Sequence, residues 1–134
     1  MAETLELRIV TPEREVLEET VESVTAEGAL GQFGVLPKHI AFVTPLEPGP
    51  LTYTKGGAAR RLAVKGGYAE VRDDVMTVLA DEAIPAERID VRGARADLEQ
   101  ADARLEATAY GDPEHERWLM ERKWAEVRLA LAAS

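Results

Sequence analysis

The sequence predicts a β + α protein: an N-terminal β-sandwich of two packed sheets, followed by a C-terminal antiparallel two-helix hairpin. Three observations carry that expectation. Between residues 5 and 80, short runs rich in apolar and β-branched residues are separated by Gly, Pro and Asp turns at close spacing, the pattern of a sandwich or barrel. After Asp81-Glu82-Ala83-Ile84-Pro85-Ala86 the apolar period changes from two to about three and a half, so the second part is helical. Within that part, Gly111-Asp112-Pro113 interrupts the pattern, and so short a connection folds two helices back on each other. The expected domains are therefore residues 1–86 and residues 87–134.

The first strand is read from Leu5, Leu7 and Ile9 alternating with Glu6 and Arg8, one face buried and the other wet. Thr11-Pro12-Glu13 turns the chain. Val16, Leu17, Val21 and Val24 then sit among Glu15, Glu18, Glu19 and Glu22, giving two short strands whose acids face solvent. Those four glutamates lack the loop spacing and glycine of a calcium site. From Gly31 to Leu46 a glycine-punctuated loop, a rigid turn and a strand follow without a spacer. Gly31 and Gly34 permit positive φ or close backbone approach, and Pro37 pushes Leu36 toward an extended conformation. Ile40-Ala41-Phe42-Val43 is an unbroken apolar run, which predicts a strand covered on both faces.

Leu46-Glu47-Pro48-Gly49-Pro50 is a turn, and Leu51–Thr54 a strand. Lys55-Gly56-Gly57 makes a hairpin to a strand over Ala59–Val64. Lys65-Gly66-Gly67 leads to a strand over Tyr68–Val71, and Asp73-Asp74 turns into Val75–Ala80. Gly66-Gly67 is not a phosphate loop, since no Lys-Ser/Thr pair follows and no helix begins there. On Val75–Ala80 neither face is polar, which predicts a second layer outside the sheet, supplied by the C-terminal segment or by another subunit.

In the helical part Ala94, Leu98, Ala101 and Leu105 form one apolar stripe on a helix from about Val91 to Thr108. Gly111 is expected to end it as a left-handed cap, with Asp112 capping the next helix and Pro113 in its first position. Glu114 and Glu116 suit the positive end of that second helix, whose stripe is Met120, Trp124, Val127 and Leu131. Two helices with such narrow stripes bury little by themselves. Both a permanently docked hairpin and a movable one are compatible with this.

With 134 residues and a formal charge of −9, the chain suits one compact domain or a small domain with an appendage, and free nucleic acid is a poor partner for it. The absence of cysteine removes disulfides and thiolate chemistry together. No run reaches the roughly 20 apolar residues of a membrane-spanning helix, and the start lacks a secretory signal pattern. The chain is therefore expected to be soluble. Only His39 and His115 are neutral-pH bases; they lie in different units, and no zinc-ligand spacing occurs. No catalytic residue and no metal ligand is assigned.

The stretch Gly31-Gln32-Phe33-Gly34-Val35-Leu36-Pro37-Lys38-His39, followed by Val64-Lys65-Gly66-Gly67-Tyr68-Ala69-Glu70-Val71 and Thr77-Val78-Leu79-Ala80-Asp81, resembles the epsilon subunit of F-type ATP synthases over nearly the whole chain. The resemblance implies a non-catalytic central-stalk (rotor) subunit that couples ion translocation to ATP synthesis. It implies partners in the gamma subunit, the c-ring, and the alpha and beta subunits. It also implies a peripheral place on the cytoplasmic face of a bacterial cell membrane. Gly31, Gln32, Phe33, Gly34, Val35, Leu36, Pro37 and His39 match the gamma and c-ring contact region; from the residues alone, His39 reads as a hydrogen-bonded loop residue rather than a partner contact, and the resemblance reverses that preference. Gln32 stands where many members carry an acid, so a charge-assisted contact there would be weaker.

The same resemblance implies that the hairpin moves between a compact and an extended state and, when extended, inhibits ATP hydrolysis. Basic residues at Arg88, Arg92, Arg95, Arg117, Arg122, Lys123 and Arg128 would then face an acidic segment of beta; the bland alternative is ordinary solvated helix surface. Some members bind ATP at an Ile/Leu-Asp-x-x-Arg-Ala motif. Here Ile89, Asp90 and Ala94 match, Gly93 replaces the arginine, and of the second helix's two arginines only Arg128 is matched, Trp124 standing at the other. No cofactor is expected. The rival from another class is a free-standing small-ligand-binding β-sandwich with a helical oligomerisation arm.

Overall fold

The structure, a computed structural model, describes residues 3–133. The chain forms two compact units, Met1–Pro85 and Ala86–Ser134.

Among the described residues the first unit has ten strands: β1 (Leu5–Val10), β2 (Glu15–Val21), β3 (Ser23–Gly28), β4 (Gly31–Val35), β5 (Phe42–Leu46), β6 (Gly49–Lys55), β7 (Ala58–Val64), β8 (Gly67–Arg72), β9 (Val75–Ala80) and β10 (Ala83–Pro85). They run in the order β10-β7-β6-β3-β5-β8-β9-β1-β2, with β4 paired to β3. One pair alone, Gly28 with Leu46, joins β3 to β5, so the ladder divides there into the two sheets of a sandwich. Among the described residues every paired neighbour is antiparallel except β1 and β9, which run parallel from Glu6/Val75 to Val10/Leu79.

Period-two alternation explains the core. Leu5, Leu7 and Ile9 of β1, Met76 and Val78 of β9, Val24 and Ala26 of β3, and Leu51 and Tyr53 of β6 all point between the sheets and are buried. The acidic strand β2 is an edge. Glu15 and Glu18 face solvent, while Glu19 and Glu22 are half-buried, Glu19 pairing with Lys55 and Glu22 accepting from the Gly57 amide at 3.1 Å. Charge on an edge strand discourages pairing with another chain.

Two hairpins need left-handed residues: Gly56 and Gly57 between β6 and β7, and Asp73 and Asp74, at φ 52° and 58°, between β8 and β9. Gly67 is fixed more firmly still. Its φ is 101°, and a Cβ there would lie 1.9 Å from the carbonyl oxygen of Leu79, so no side chain fits.

Four expectations are corrected here. Gly31–Val35 is a strand paired with β3 and not a loop, because Phe33 packs on the core and Val35 is buried within it. The run Ile40–Val43 is not covered on both faces: the strand begins at Phe42, and Ile40, Ala41 and Val43 are exposed. The sixth strand starts at Gly49, two residues earlier than read, since the pairing with β7 reaches Gly49–Val64. Gly111, at φ 94°, sits in the interhelical turn; the first helix is ended instead by Thr108, whose amide and Oγ1 both donate to the Arg104 carbonyl at 3.0 and 2.9 Å.

The second unit opens with a single 3-10 turn, Ala86–Arg88, and contains α1 (Val91–Ala107) and α2 (Pro113–Ala133). Asp90 is the N-cap of α1, accepting from the Gly93 amide at 3.0 Å. Asp112 caps α2 through the Glu114 amide at 2.9 Å, with Pro113 first in the helix as the sequence suggested. Ala94 and Ala101 are buried on α1, with Leu98 and Leu105 half-buried. On α2 the buried set is Trp124, Ala125, Val127, Arg128 and Leu131, whereas Met120 is exposed. The stripe is therefore shifted toward the C-terminus and includes a cation.

Candidate functional site

On the outer face of the sheet holding β5, β8, β9 and β1, four residues lie in one cross-strand row. Val10 pairs with Leu79, Leu79 with Tyr68, and Tyr68 with Pro45. Leu79 is 56% and Tyr68 59% exposed, Pro45 is exposed and Val10 half-buried. Val43, two residues before Pro45 and so on the same face, is 65% exposed. Contiguous apolar residues left open in this way mark an interaction surface more than a packing accident.

At the other end of β8 and β9, beside the Asp73-Asp74 turn, the chain turns at Leu36–Ala41, where Leu36 and Ile40 are also exposed. Here an aromatic group fixes the local shape. Phe33 meets Phe42 edge-on with centroids 5.6 Å apart, and the His39 ring lies 5.0 Å from Phe42. The His39 Nδ1–H donates to the Ile40 carbonyl at 2.8 Å. Phe33 is thus half-buried support and His39 a half-buried loop residue; neither is an open anchor. Gly31, Gln32 and Gly34 are exposed on β4, Val35 is buried and Pro37 half-buried.

Lys38 adopts φ 65°. Its amide donates to Asp74 Oδ1 at 2.5 Å and its Nζ pairs with Glu3 at 2.9 Å. That hydrogen bond to Glu3, and then the charge of Glu3, hold the ammonium above its ordinary range. Below the surface row, Ala41, Phe42, Val43, Glu70, Val71 and Arg72 line an open depression of about 290 Å³. It is a shallow surface feature with no convergent buried polar groups, a poor match to the enclosed pocket that the ligand-binding rival requires.

In the helical unit the predicted basic residues divide. Arg88, Arg92, Arg95 and Lys123 are exposed. Arg117 reaches Glu114 at 3.4 Å and Arg122 reaches Asp102 at 3.8 Å, both over well-exposed side chains. Arg128 is different: it is 9% exposed, its Nη2 donates to Asp97 Oδ2 at 2.9 Å, its Nε donates to the Trp124 carbonyl at 3.3 Å, and its guanidinium lies 5.1 Å from the Trp124 ring. A residue expected on a contact surface is instead inside the hairpin. Ile89, Asp90 and Ala94 cluster at the start of α1, where Ala94 is buried and Asp90 is occupied as the cap. A Cβ on Gly93 would meet Asp90 Oδ2 at 2.6 Å, so the capping carboxylate occupies the space a side chain at 93 would need.

The sequence flagged the outer face of β9 but missed Pro45, Tyr68 and Val10. The signal was available. Ala69 and Val71 set the inward parity of β8, which puts Tyr68, a large aromatic, on the water-facing parity. His115 lies at the hairpin turn, its Nδ1 3.5 Å from Thr108 Oγ1 and its ring 5.8 Å from that of Tyr110. Among the described residues no group of three or more His, Cys, Asp or Glu could hold a metal ion, and no helix is long and apolar enough to cross a membrane.

Comparison with known proteins agrees with the fold. The family model described as "ATP synthase, Delta/Epsilon chain, beta-sandwich domain" matches residues 4–86. An ATP synthase epsilon chain of Geobacter metallireducens is 43% identical over 132 residues, 98% of this chain and 96% of the relative. Another, of Syntrophobacter fumaroxidans, is 50% identical over 108 residues, 81% of each chain. Among solved structures, a chain of the Euglena gracilis mitochondrial ATP synthase, determined by cryo-EM as OSCP/F1/c-ring in rotational state 1, superposes with a TM-score of 0.80 at 27% identity. That match covers all of this chain and 83% of the other. A chain of the Tetrahymena thermophila mitochondrial ATP synthase central stalk and c-ring, at 20% identity and a TM-score of 0.59, shares the fold.

Proposed function

This chain belongs to the ATP synthase delta/epsilon family, as an epsilon chain, and from that premise we propose that it is the non-catalytic central-stalk subunit that couples ion translocation to ATP synthesis. The sandwich docks on the gamma subunit and the c-ring, holding the chain peripherally at the cytoplasmic face of the membrane. The observation that carries this reading is the uncovered row Val10–Leu79–Tyr68–Pro45, with Val43 on the same face and Leu36 and Ile40 exposed on the separate turn held against Asp74. Apolar area left open on that row costs roughly 25 cal/mol for each Å², which a partner surface removes.

The hairpin serves as the regulatory element, its exposed Arg88, Arg92, Arg95, Arg117, Arg122 and Lys123 meeting acidic surface on the alpha and beta subunits and restraining ATP hydrolysis. Arg128 is excluded from that set while it is paired with Asp97. No nucleotide cofactor is used. Asp90 is held as a helix cap over Gly93, and Arg128 is held by Asp97 and Trp124, so neither is free for phosphates.

The docking reading is tested by Tyr68→Ser with Leu79→Ser, both water-facing, measured by calorimetry against purified gamma subunit. Removing two central apolar anchors should weaken binding by more than about tenfold with the circular dichroism spectrum unchanged. Unaltered affinity would refute docking through this face.

A further inference from the structure

Lys38, Asp73 and Asp74 are the non-glycine residues with positive φ among the described residues, and Lys38 and Asp74 meet at one point. Such a conformation is unfavourable for a side chain, and a cluster of them survives only where the surroundings hold it. What holds it is a three-way tie. The carboxylate of Asp74 takes the amide of Lys38 at 2.5 Å, and the carbonyl of Asp74 takes the amide of Glu6 at 2.9 Å. Lys38 Nζ reaches Glu3 at 2.9 Å, and the His39 amide closes the turn on the Leu36 carbonyl at 3.2 Å. Three segments far apart in sequence, near residues 3–6, 36–39 and 73–74, converge on one aspartate.

Glycine would make the β8–β9 turn with less strain, but it would bring no carboxylate. We propose that Asp74 is a positioning residue: it clips the Leu36–Ala41 loop into a fixed pose, so that Leu36, His39 and Ile40 are arranged before a partner arrives. Leu36 and Ile40 are 63% and 78% exposed. Apolar side chains on an untethered loop would gain by folding inward or onto neighbours, whereas a pinned loop keeps them presented and lowers the ordering entropy lost on binding. The inference rests on the docking reading above and adds the residue that shapes its loop.

Two substitutions in the full-length chain separate the terms. Asp74→Gly relieves the turn and removes the carboxylate; Lys38→Gly relieves its own φ and keeps the amide donor, giving up only the solvent-exposed pair with Glu3, which adds little to the tie. Amide hydrogen exchange at residues 38–41 is measured by NMR, and affinity for purified gamma subunit by calorimetry. Asp74→Gly should speed exchange of the Lys38 amide and its neighbours about tenfold or more and weaken binding about tenfold, while Lys38→Gly should stay within about threefold of the parent in both. Unchanged exchange in Asp74→Gly would overturn the clip. Faster exchange with full affinity would overturn its positioning role. If the unsubstituted chain failed to bind gamma, the docking reading would fall, and the positioning role with it, although the exchange data would still identify the clip.

Discussion

Asp97→Asn should loosen the helical hairpin selectively. The substitution keeps the shape of the side chain and removes the anion that meets Arg128. The charged hydrogen bond between them, 2.9 Å long, is of a kind worth roughly 1.5–3 kcal/mol, and stripping the partner from a buried cation can cost about 3–5 kcal/mol. The Asp97 side chain is 52% exposed, however, so water screens the pair and reaches the guanidinium once the carboxylate is gone. A cost of about 1–2 kcal/mol follows for Asp97→Asn. Arg128→Met removes the charge but keeps an apolar stem against Trp124, at about 1 kcal/mol, and Asp97→Asn should then cost almost nothing further in that background. Both tryptophans of the chain, Trp118 and Trp124, lie on α2, so urea unfolding followed by tryptophan fluorescence reports the hairpin and not the sandwich. If the midpoint for Asp97→Asn matches the parent, or the loss is the same with and without Arg128→Met, the two residues are not coupled and the burial of Arg128 has another cause.

Two further outcomes are expected. Truncation after Ala86 removes only the helical unit, so the sandwich should keep its β-type circular dichroism spectrum, and the assembled complex should hydrolyse ATP faster under conditions that favour inhibition; an unchanged rate would show that the hairpin does not inhibit here. Titrating ATP into the isolated protein should give no saturation at low micromolar concentration, since Arg128 and Asp90 are already engaged and Gly93 offers no cation; tight binding would overturn that assignment.

Much of the architecture was legible because each unit obeys one period. Alternation located β1, and the Gly and Asp turns located β7, β8 and β9, nearly to the residue, while the Asp112-Pro113 signal located the start of α2. What the pattern could not supply was the partner of each face. Ile40–Val43 reads as a doubly buried strand by composition, yet three of its four residues are exposed, because hydrophobicity alone does not distinguish a core from a docking surface. Gly31–Val35 was hidden by its glycines, which signal turns locally while the pairing with β3 that makes it a strand is a tertiary fact. Arg128 was read as surface because cations usually are; its burial depends on Asp97, 31 residues away, and on the flat face of Trp124. The clip on Lys38 was equally invisible, since its acceptor is 36 residues downstream.

The parallel pairing of β1 with β9 has a consequence for biosynthesis. β1 lies between β2 and β9, and its Leu7 and Ile9 are fully buried, so during synthesis β1 finds only one of its two neighbours early. β2 follows at once, but β9 ends at Ala80, and at about 5–20 residues per second the nascent chain waits on the order of several seconds with one edge of β1 and its apolar face unprotected. Closing that pair joins the two ends of the sandwich across a large sequence separation, which makes it a slow step. The interval in which β1 is most open to mispairing therefore ends with the arrival of Val75–Ala80.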